Sequence, residues 1–250
     1  MHILLVNDDG IDSPGLDALR LEAVRRGHQV TICAPARQQS AASQALTLFR
    51  PISVTPVVRE GATAYAIDGT PADCARLGLC NLASKKVDLV ISGINDGLNS
   101  GTAIYCSGTV GAAREAALLR TKSMAVSLDR PADTQMLSHL AALALTLGER
   151  LNEYPAPRGS VLNVNAPALP PEVLMPPIMA PVNHSLFTNT YEQRVSPRGE
   201  IYFWVMKEFH HEPPTPGSDE DFLQKGHVTC TFLLHPGESY ESCLDFLQER

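Results

Sequence analysis

The chain opens with Met1-His2-Ile3-Leu4-Leu5-Val6 and turns abruptly polar at Asn7-Asp8-Asp9-Gly10. A short, branched, continuously apolar run suits a strand buried on both faces, and such strands belong to parallel sheets covered by helices. The pattern repeats along the first two thirds of the sequence. Leu16, Leu19, Ala23 and Val24 stand at helical spacing and predict a helix over 16–26, with Gly27 as its C-cap. Val30-Thr31-Ile32-Cys33, Val87-Asp88-Leu89-Val90-Ile91, Met124-Ala125-Val126-Ser127-Leu128 and Val161-Leu162-Asn163-Val164 predict further strands, with helices over 72–82, 108–119 and 133–152 between them. Strands alternating with helices predict an α/β fold built on a doubly wound, mostly parallel sheet.

Two stretches depart from that alternation. Ile52-Ser53-Val54-Thr55 and Thr63-Ala64-Tyr65-Ala66-Ile67 flank Gly61 and predict a β excursion from the winding. After Asn165, prolines at 167, 170, 171, 176, 177 and 181 oppose both helix and central strand, which predicts an extended connector. Beyond it, Tyr191 to Val195 and Glu200 to Val205 flank Ser196-Pro197-Arg198-Gly199 as a hairpin, and the charged 238–250 stretch is expected to close the chain as a helix. The expected organisation is a core over 1–166, followed over 167–250 by connector, hairpin and a C-terminal oligomerisation arm packing on the core or on a partner subunit.

A formal net charge of −7 opposes a nucleic-acid duplex or an anionic membrane surface as partner, so any phosphate must be held locally. No apolar run reaches the ~18 residues that span a bilayer, and the first apolar run is too short for a signal-peptide core; a cytoplasmic location is expected. The six cysteines form no CxxC pair and are expected to be reduced thiols, mostly in the core.

Open parallel sheets bind ligands beyond the carboxyl ends of their strands, where loops converge and helix N-termini offer free N–H groups. After the first strand, Asp8 and Asp9 place two carboxylates at the mouth of the sheet. They suit a divalent cation; they suit a solvated turn equally well. After the second strand, Ser40 offers a hydroxyl oxygen to the same place or simply caps a helix. Ser92-Gly93-Ile94-Asn95-Asp96-Gly97-Leu98-Asn99 combines glycines that let backbone approach a ligand with two Asn amides. Ser107-Gly108-Thr109-Val110-Gly111 begins an Ala-rich helix, where a phosphate fits against backbone N–H groups and where Ser107 or Thr109 also serves as cap.

Several commoner chemistries are excluded by inspection. Gly10 to Gly15 has the interval of a P-loop but is followed by Leu16-Asp17 instead of Lys and Ser/Thr, and neither GxGxxG after the first strand nor GxSxG occurs. Asp8 and Asp9 are adjacent, unlike the alternate pair of haloacid-dehalogenase phosphatases. Zinc is disfavoured because the candidate ligands are oxygens and His210-His211 lies in a Pro-rich loop expected at the surface.

Taken in order, Asn7-Asp8-Asp9-Gly10, the Ser-rich loop after the second strand, Gly69-Thr70-Pro71-Ala72-Asp73-Cys74, Ser92 to Asn99, Ser107 to Ala113 and Leu162-Asn163-Val164-Asn165-Ala166-Pro167 resemble the SurE survival-protein family of nucleotidases. The resemblance covers most of the chain. It implies a Rossmann-like core, an arm exchanged between subunits of a homodimer or homotetramer, and hydrolysis of nucleoside 5′- and 3′-monophosphates. It also implies one divalent cation per subunit, Mg²⁺ or Mn²⁺, held by Asp8, Asp9, Ser40 and Asn95, with Asn99, Ser107, Gly108 and Thr109 on the phosphate side. The implied reaction is in-line attack by a water delivered by the metal, with Asp8 or Asp9 as candidate proton acceptor.

The chain departs from the family pattern at Ala103 and Cys106, where an acidic residue and a Tyr are usual, at Gln38 and Ala41, where Asn and Gly are usual, and at Thr231-Phe232. Two other readings therefore accompany the nucleotidase. One is a nucleotide-binding or sensing protein with weak turnover; the other is a broader phosphatase or exopolyphosphatase. Tyr105 and Tyr191 are the aromatic candidates for stacking on a base.

Overall fold

The structure is a computed structural model that describes residues 1–184, 187–234 and 245–248, with backbone alone for 187–189 and 207–211. In chain order its elements are β1 (His2–Val6), α1 (Pro14–Arg25), β2 (Gln29–Pro35), β3 (Val54–Arg59), β4 (Ala62–Ile67), α2 (Pro71–Leu77), β5 (Leu89–Asp96), α3 (Gly108–Leu118), β6 (Lys122–Leu128), α4 (Thr134–Glu153), β7 (Val161–Ala166), β8 (Met175–Met179), β9 (Phe187–Val195), β10 (Ile201–His211), α5 (Asp219–Gln224) and β11 (His227–Leu233). The main sheet runs β3-β4-β2-β1-β5-β6-β7-β11-β8. Its centre, β4 through β7, is parallel, as expected for a Rossmann-like winding.

Alternation along the strands divides the core. Ile3 and Leu5 of β1 join Leu16, Leu19 and Ala23 of α1 and Leu140, Ala144 and Leu145 of α4 on one face. Leu4 and Val6 join Cys74 and Ala75 of α2 and Ala112 and Ala116 of α3 on the other. Successive side chains of a strand point to opposite faces, so a strand apolar throughout is satisfied only between two helical layers.

The helices begin where local chemistry places them. Ser13 accepts from Leu16 N with Pro14 in the first turn. Thr70 and Asp73 form a reciprocal capping box ahead of Pro71. Ser107 caps α3 and Asp133 caps α4.

The structure corrects several boundaries. The strand expected to end at Ile91 continues to Asp96, because Ser92 pairs with Ala125 and Asn95 with Ser127, leaving one extra residue on β5 as a bulge. The excursion around Gly61 is a hairpin whose second strand, β4, joins the main sheet parallel to β2. The helix expected over 72–82 leaves α-helical geometry after Leu77 for a wider turn at Gly78–Leu82. The Pro-rich connector contains β8, an edge strand beside β11, where Pro176 and Pro177 leave no central ladder unpaired.

The hairpin around 196–199 forms as β9 and β10, with Ser196 N donating to Glu200 O. His210 and His211 fall within β10 instead of a loop. The helix expected over 238–250 lies largely outside the described residues, of which 245–247 make a single turn. Cys33, Cys74 and Cys230 are buried free thiols, whereas Cys80 and Cys106 are exposed.

Gly15, at the start of α1, lies so close to β5 that a Cβ there would overlap the Ile94 carbonyl oxygen. Backbone cannot yield as a flexible side chain does. Gly15→Ala is expected to lower the unfolding free energy by roughly 1–3 kcal/mol, measured by urea denaturation; an unchanged midpoint would contradict this packing.

Candidate active site

The winding reverses at β1, which has β2 on one side and β5 on the other. The loops after β1, β2 and β5 converge there, at the switch point where open α/β sheets bind ligands. Asn7 shapes the first loop. Its amide donates to Gly10 O at 2.9 Å and Ser13 Oγ at 2.7 Å, while Gly10 N donates back to its oxygen. Gly10 closes this turn at φ +107°, a value that L side chains rarely adopt.

Held this way, the two adjacent carboxylates diverge. Asp8 turns toward α3 and is only 6% exposed, which rules out the solvated-turn reading. The Thr109 hydroxyl donates to its Oδ1 at 2.5 Å, and Gly108 leaves no room for a Cβ beside it. Asp9 turns toward β5 and the β2 loop, accepting from Asp96 N at 3.1 Å and Gln38 Nε2 at 3.4 Å. Burial pushes the Asp8 carboxyl above its ordinary range; the Thr109 hydrogen bond opposes this and the Asp9 charge adds to it. Burial likewise raises Asp9, with the Asp96 N–H lowering it, the Asp96 charge raising it and Arg130 lowering it.

Asp8, Asp9, Ser40, Asn95, Asn99 and Ser107 line one cavity of about 380 Å³. Gly108 and Thr109 are not in its lining; both are buried behind Asp8. Ser40 arrives on a loop stitched to its neighbours, with Gln39 N donating to Asp8 O, Ser43 N to Cys106 O and Ser43 Oγ to Tyr105 O. The loop crosses α3 at Gly111, where a Cβ would overlap the Ser43 carbonyl oxygen. Ala41 and Ser43 have φ of 58° and 52°, so this crossing is made with left-handed residues that carry a Cβ. Asn95 directs its amide nitrogen to Gly97 O at 2.7 Å, and its oxygen is the atom suited to a cation.

Asn99 is held on every side. Its N–H donates to Asn165 Oδ1, its carbonyl accepts from Asn163 Nδ2 and Asn165 Nδ2, and its own amide donates to Ser127 Oγ. Asn163 and Asn165 stand two apart on β7 and so share a face; that alternation was the sequence signal for this support. Two further contributors carry no local signal. Arg130 enters the cavity lining and pairs with Asp96 at 3.0 Å. Asp219, fully buried at the start of α5, accepts from Gly101 N and from Asn183 N, so residues flanking the β9–β10 hairpin fix the loop that carries Asn99.

The donor set fits a hard divalent cation. It offers two desolvated carboxylates with hydroxyl and amide oxygens beside them, and among the described residues no cation pairs with Asp8. Among the described residues there is also no cluster of three or more His, Cys, Asp or Glu placed for a metal, so the set depends on its neutral oxygens.

Fold and site thus define a doubly wound α/β protein with an acidic, oxygen-donor site at its switch point. Residues 3–186 match the family described as Survival protein SurE, and the chain belongs to that family. Relatives named 5′-nucleotidase SurE are 40% identical in Desulfovibrio desulfuricans, over 98% of each chain, and 41% identical in Solidesulfovibrio magneticus, over 93% of this chain and 91% of the relative. The crystal structure of the SurE protein from Aquifex aeolicus superposes with a TM-score of 0.78 at 30% identity over 100% of both chains.

Since burial raises the folded-state pKa of Asp8, ionising it costs the folded chain more than the unfolded one, and stability falls as pH rises through that pKa. An amide in place of this carboxyl carries no charge and still accepts from Thr109. Without divalent ions, Asp8→Asn is expected to melt roughly 2–4 °C above the parent at pH 8 for each kcal/mol relieved, and to lose that advantage below the ordinary carboxylate range. Scanning calorimetry in EDTA checks both limbs.

Proposed function

We propose that the chain is a divalent-metal-dependent phosphomonoesterase that hydrolyses nucleoside 5′- and 3′-monophosphates. One observation carries the reading: two desolvated carboxylates, Asp8 against the N-terminus of α3 and Asp9 toward β5, line one cavity with Asn95, Asn99 and Ser107 that is large enough for a phosphate ester. The names of the relatives support it on the nucleotide side.

Asp8, Asp9, Ser40 and Asn95 would hold Mg²⁺ or Mn²⁺. When bound, such an ion supplies positive charge against the phosphoryl oxygens and lowers the pKa of nearby water. The chain's own residues do the rest. Asn99 and Ser107 present polar groups to the phosphate at the N-terminus of α3, and Gly108, buried behind Asp8, lets that carboxylate lie against the first turn of the helix. Thr109 acts through Asp8, whose carboxylate it orients. Arg130 places a guanidinium beside the developing charge while Asp96 holds it. Asp8 and Asp9 are both candidate proton acceptors: Thr109 engages one oxygen of Asp8, and Asp96 N and Gln38 engage Asp9.

A second reading, a nucleotide-binding protein with weak turnover, is favoured by one feature: Ala103 and Cys106 both line the cavity where the family pattern has an acid and a Tyr. The β9–β10 hairpin is assigned as an assembly arm for a homodimer or homotetramer, supported by exposed Tyr191, Ile201, Phe203, Trp204 and Val205. A cytoplasmic location goes with these readings; among the described residues, no helix is long and apolar enough to cross a membrane.

Phosphate release from 5′-AMP, 3′-AMP, glucose 6-phosphate and polyphosphate with Mn²⁺, Mg²⁺ or EDTA tests the reaction. Release is expected from the nucleotides only, to require metal, and to fall roughly 100-fold or more in Asp9→Asn. A folded protein that binds nucleotide and Mn²⁺ yet releases nothing would establish the sensing reading instead. For the arm, Trp204→Glu is expected to sediment as a smaller species than the parent; identical sedimentation would remove the assignment.

A further inference from the structure

The loop between β2 and β3 brings Ser40 to the acidic cavity, and its shape is unfavourable by itself. Ala41 and Ser43 both lie in the left-handed region, which residues with a Cβ rarely adopt. Such a loop keeps its conformation only where neighbouring elements hold it there.

Two buried carboxylates outside the cavity lining supply much of that hold. Asp73 Oδ1 accepts from Thr47 N at 3.0 Å and its Oδ2 from Thr70 N at 2.9 Å, while the Thr70 hydroxyl donates to Ala45 O. These ties fix the limb that leads away toward β3. Glu115 of α3, 2% exposed, reaches the limb nearer Ser40. Its Oε2 accepts from Gln44 Nε2 at 3.0 Å, and its Oε1 from Arg76 Nε of α2 at 2.7 Å. Gly111, one helical turn before Glu115, is where the loop backbone at Ser43 and Gln44 lies against α3. The helix therefore grips the loop twice, through backbone contact at Gly111 and through the carboxylate at Glu115.

We infer that Glu115 is a positioning residue for Ser40, an inference that rests on the divalent-metal reading and deepens it. Burying a carboxylate is costly, and a buried ion pair is often matched in stability by apolar side chains of similar size. An apolar side chain at position 115 would still join α3 to α2, but it could not accept from Gln44. Arg76, half exposed, occupies Oε1 and orients the carboxylate so that Oε2 meets the loop. Gln44 lies four residues from Ser40, and both left-handed residues stand between them. A loop released at Gln44 relaxes through Ala41 and Ser43 and carries the Ser40 hydroxyl away from Asp8 and Asp9. The donor set has few carboxylates and depends on its neutral oxygens, so the loss falls on the cation. Groups that orient a metal's ligands are typically worth roughly 10–100-fold in metal affinity.

Gln44→Ala removes the contact from the loop side and leaves the buried Glu115–Arg76 pair intact. In the full-length protein, Mn²⁺ alone would be titrated by electron paramagnetic resonance, and amide hydrogen exchange would be followed in EDTA. The expected result is a parental melting temperature with an Mn²⁺ dissociation constant about tenfold weaker. Exchange is expected to quicken at Gln39 and Ser43, whose N–H groups donate to Asp8 O and Cys106 O in the intact loop. Glu115→Gln combined with Gln44→Glu moves the carboxylate to the loop and the amide to the helix at unchanged net charge. This pair is expected to restore most of the Mn²⁺ affinity and to slow the Ser43 exchange again.

Parental Mn²⁺ affinity in Gln44→Ala would overturn the inference, whatever the exchange shows, as would a folded double variant that binds Mn²⁺ no better than Gln44→Ala. The metal reading is judged separately. A parent that binds Mn²⁺ and loses it in Asp9→Asn, while Gln44→Ala keeps it, retains that reading and removes only the role of Glu115. A parent that binds no Mn²⁺ removes both.

Discussion

Asp8 is a nearly buried carboxylate with a hydroxyl beside it and, among the described residues, no cation. Much of the surrounding architecture answers to that arrangement. Burying a charge is costly unless dipoles or ions face it, and the N-terminus of α3 supplies dipoles where Thr109 reaches Asp8. Gly108 has to be glycine because Asp8 occupies the place its Cβ would take. The next residue of the chain, Asp9, adds a like charge instead of relieving it. The Asn7 turn keeps both carboxylates in position although neither gains from the other. Such a centre is destabilising by itself, and the site stays assembled because loops after β1, β2 and β5 are each tied by hydrogen bonds independent of the carboxylates.

The reversal of the winding at β1 gives the crevice two sides with different walls. On one side the helix N-terminus and the Asn99 loop wall one chamber; on the other the first turn of α1 and the side of α4 wall a second, where Ile11, Ile94, Leu128 and Leu137 stand beside Asp9, Asp12 and Asp96. The chain beyond residue 166 takes part in the α3 side. β11 and β8 extend the sheet past β7, and Asp219 binds both Gly101 N and Asn183 N. The residues at the base of the β9–β10 hairpin are therefore mechanically linked to the loop presenting Asn99.

The central strands and their helices were legible in the sequence because burial on both faces writes a continuous apolar run, as in Ile3 to Val6 and Met124 to Val126. β5 was read too short because Ser92 and Gly93 look like the end of a strand, whereas a bulge carries the ladder on to Asp96. β8 was hidden by its prolines, which an edge position tolerates. In the site, the loop motifs marked Asp8, Asp9, Ser40, Asn95, Asn99 and Ser107 because the sequence places each of them between an apolar strand run and the helix that follows it. Arg130 and Asp219 left no such mark: their partners are settled by the tertiary fold, Asp219 meeting Gly101 across 118 positions. The second chamber was equally invisible, since Ile11, Ile94, Leu128 and Leu137 lie far apart in the chain and only the fold brings them round one space.

Charge balance ties the departures at Ala103 and Cys106 to the rest. The chamber beside α3 is lined by Asp8, Asp9 and Asp96 against a single guanidinium, Arg130, whose charge Asp96 already takes up. A phosphate monoester near neutral pH brings further negative charge, so binding it requires a cation between the ester and the carboxylates. The proposed divalent ion follows from this electrostatic demand as well as from the donor chemistry. An additional carboxylate at position 103 would deepen the negative field; Ala103 leaves it shallower. In the proposed phosphomonoesterase the replacement would weaken retention of the cation and ease entry of the phosphate at once, and the balance between them, acting through Asp8 and Asp9, would set how far turnover is traded for binding.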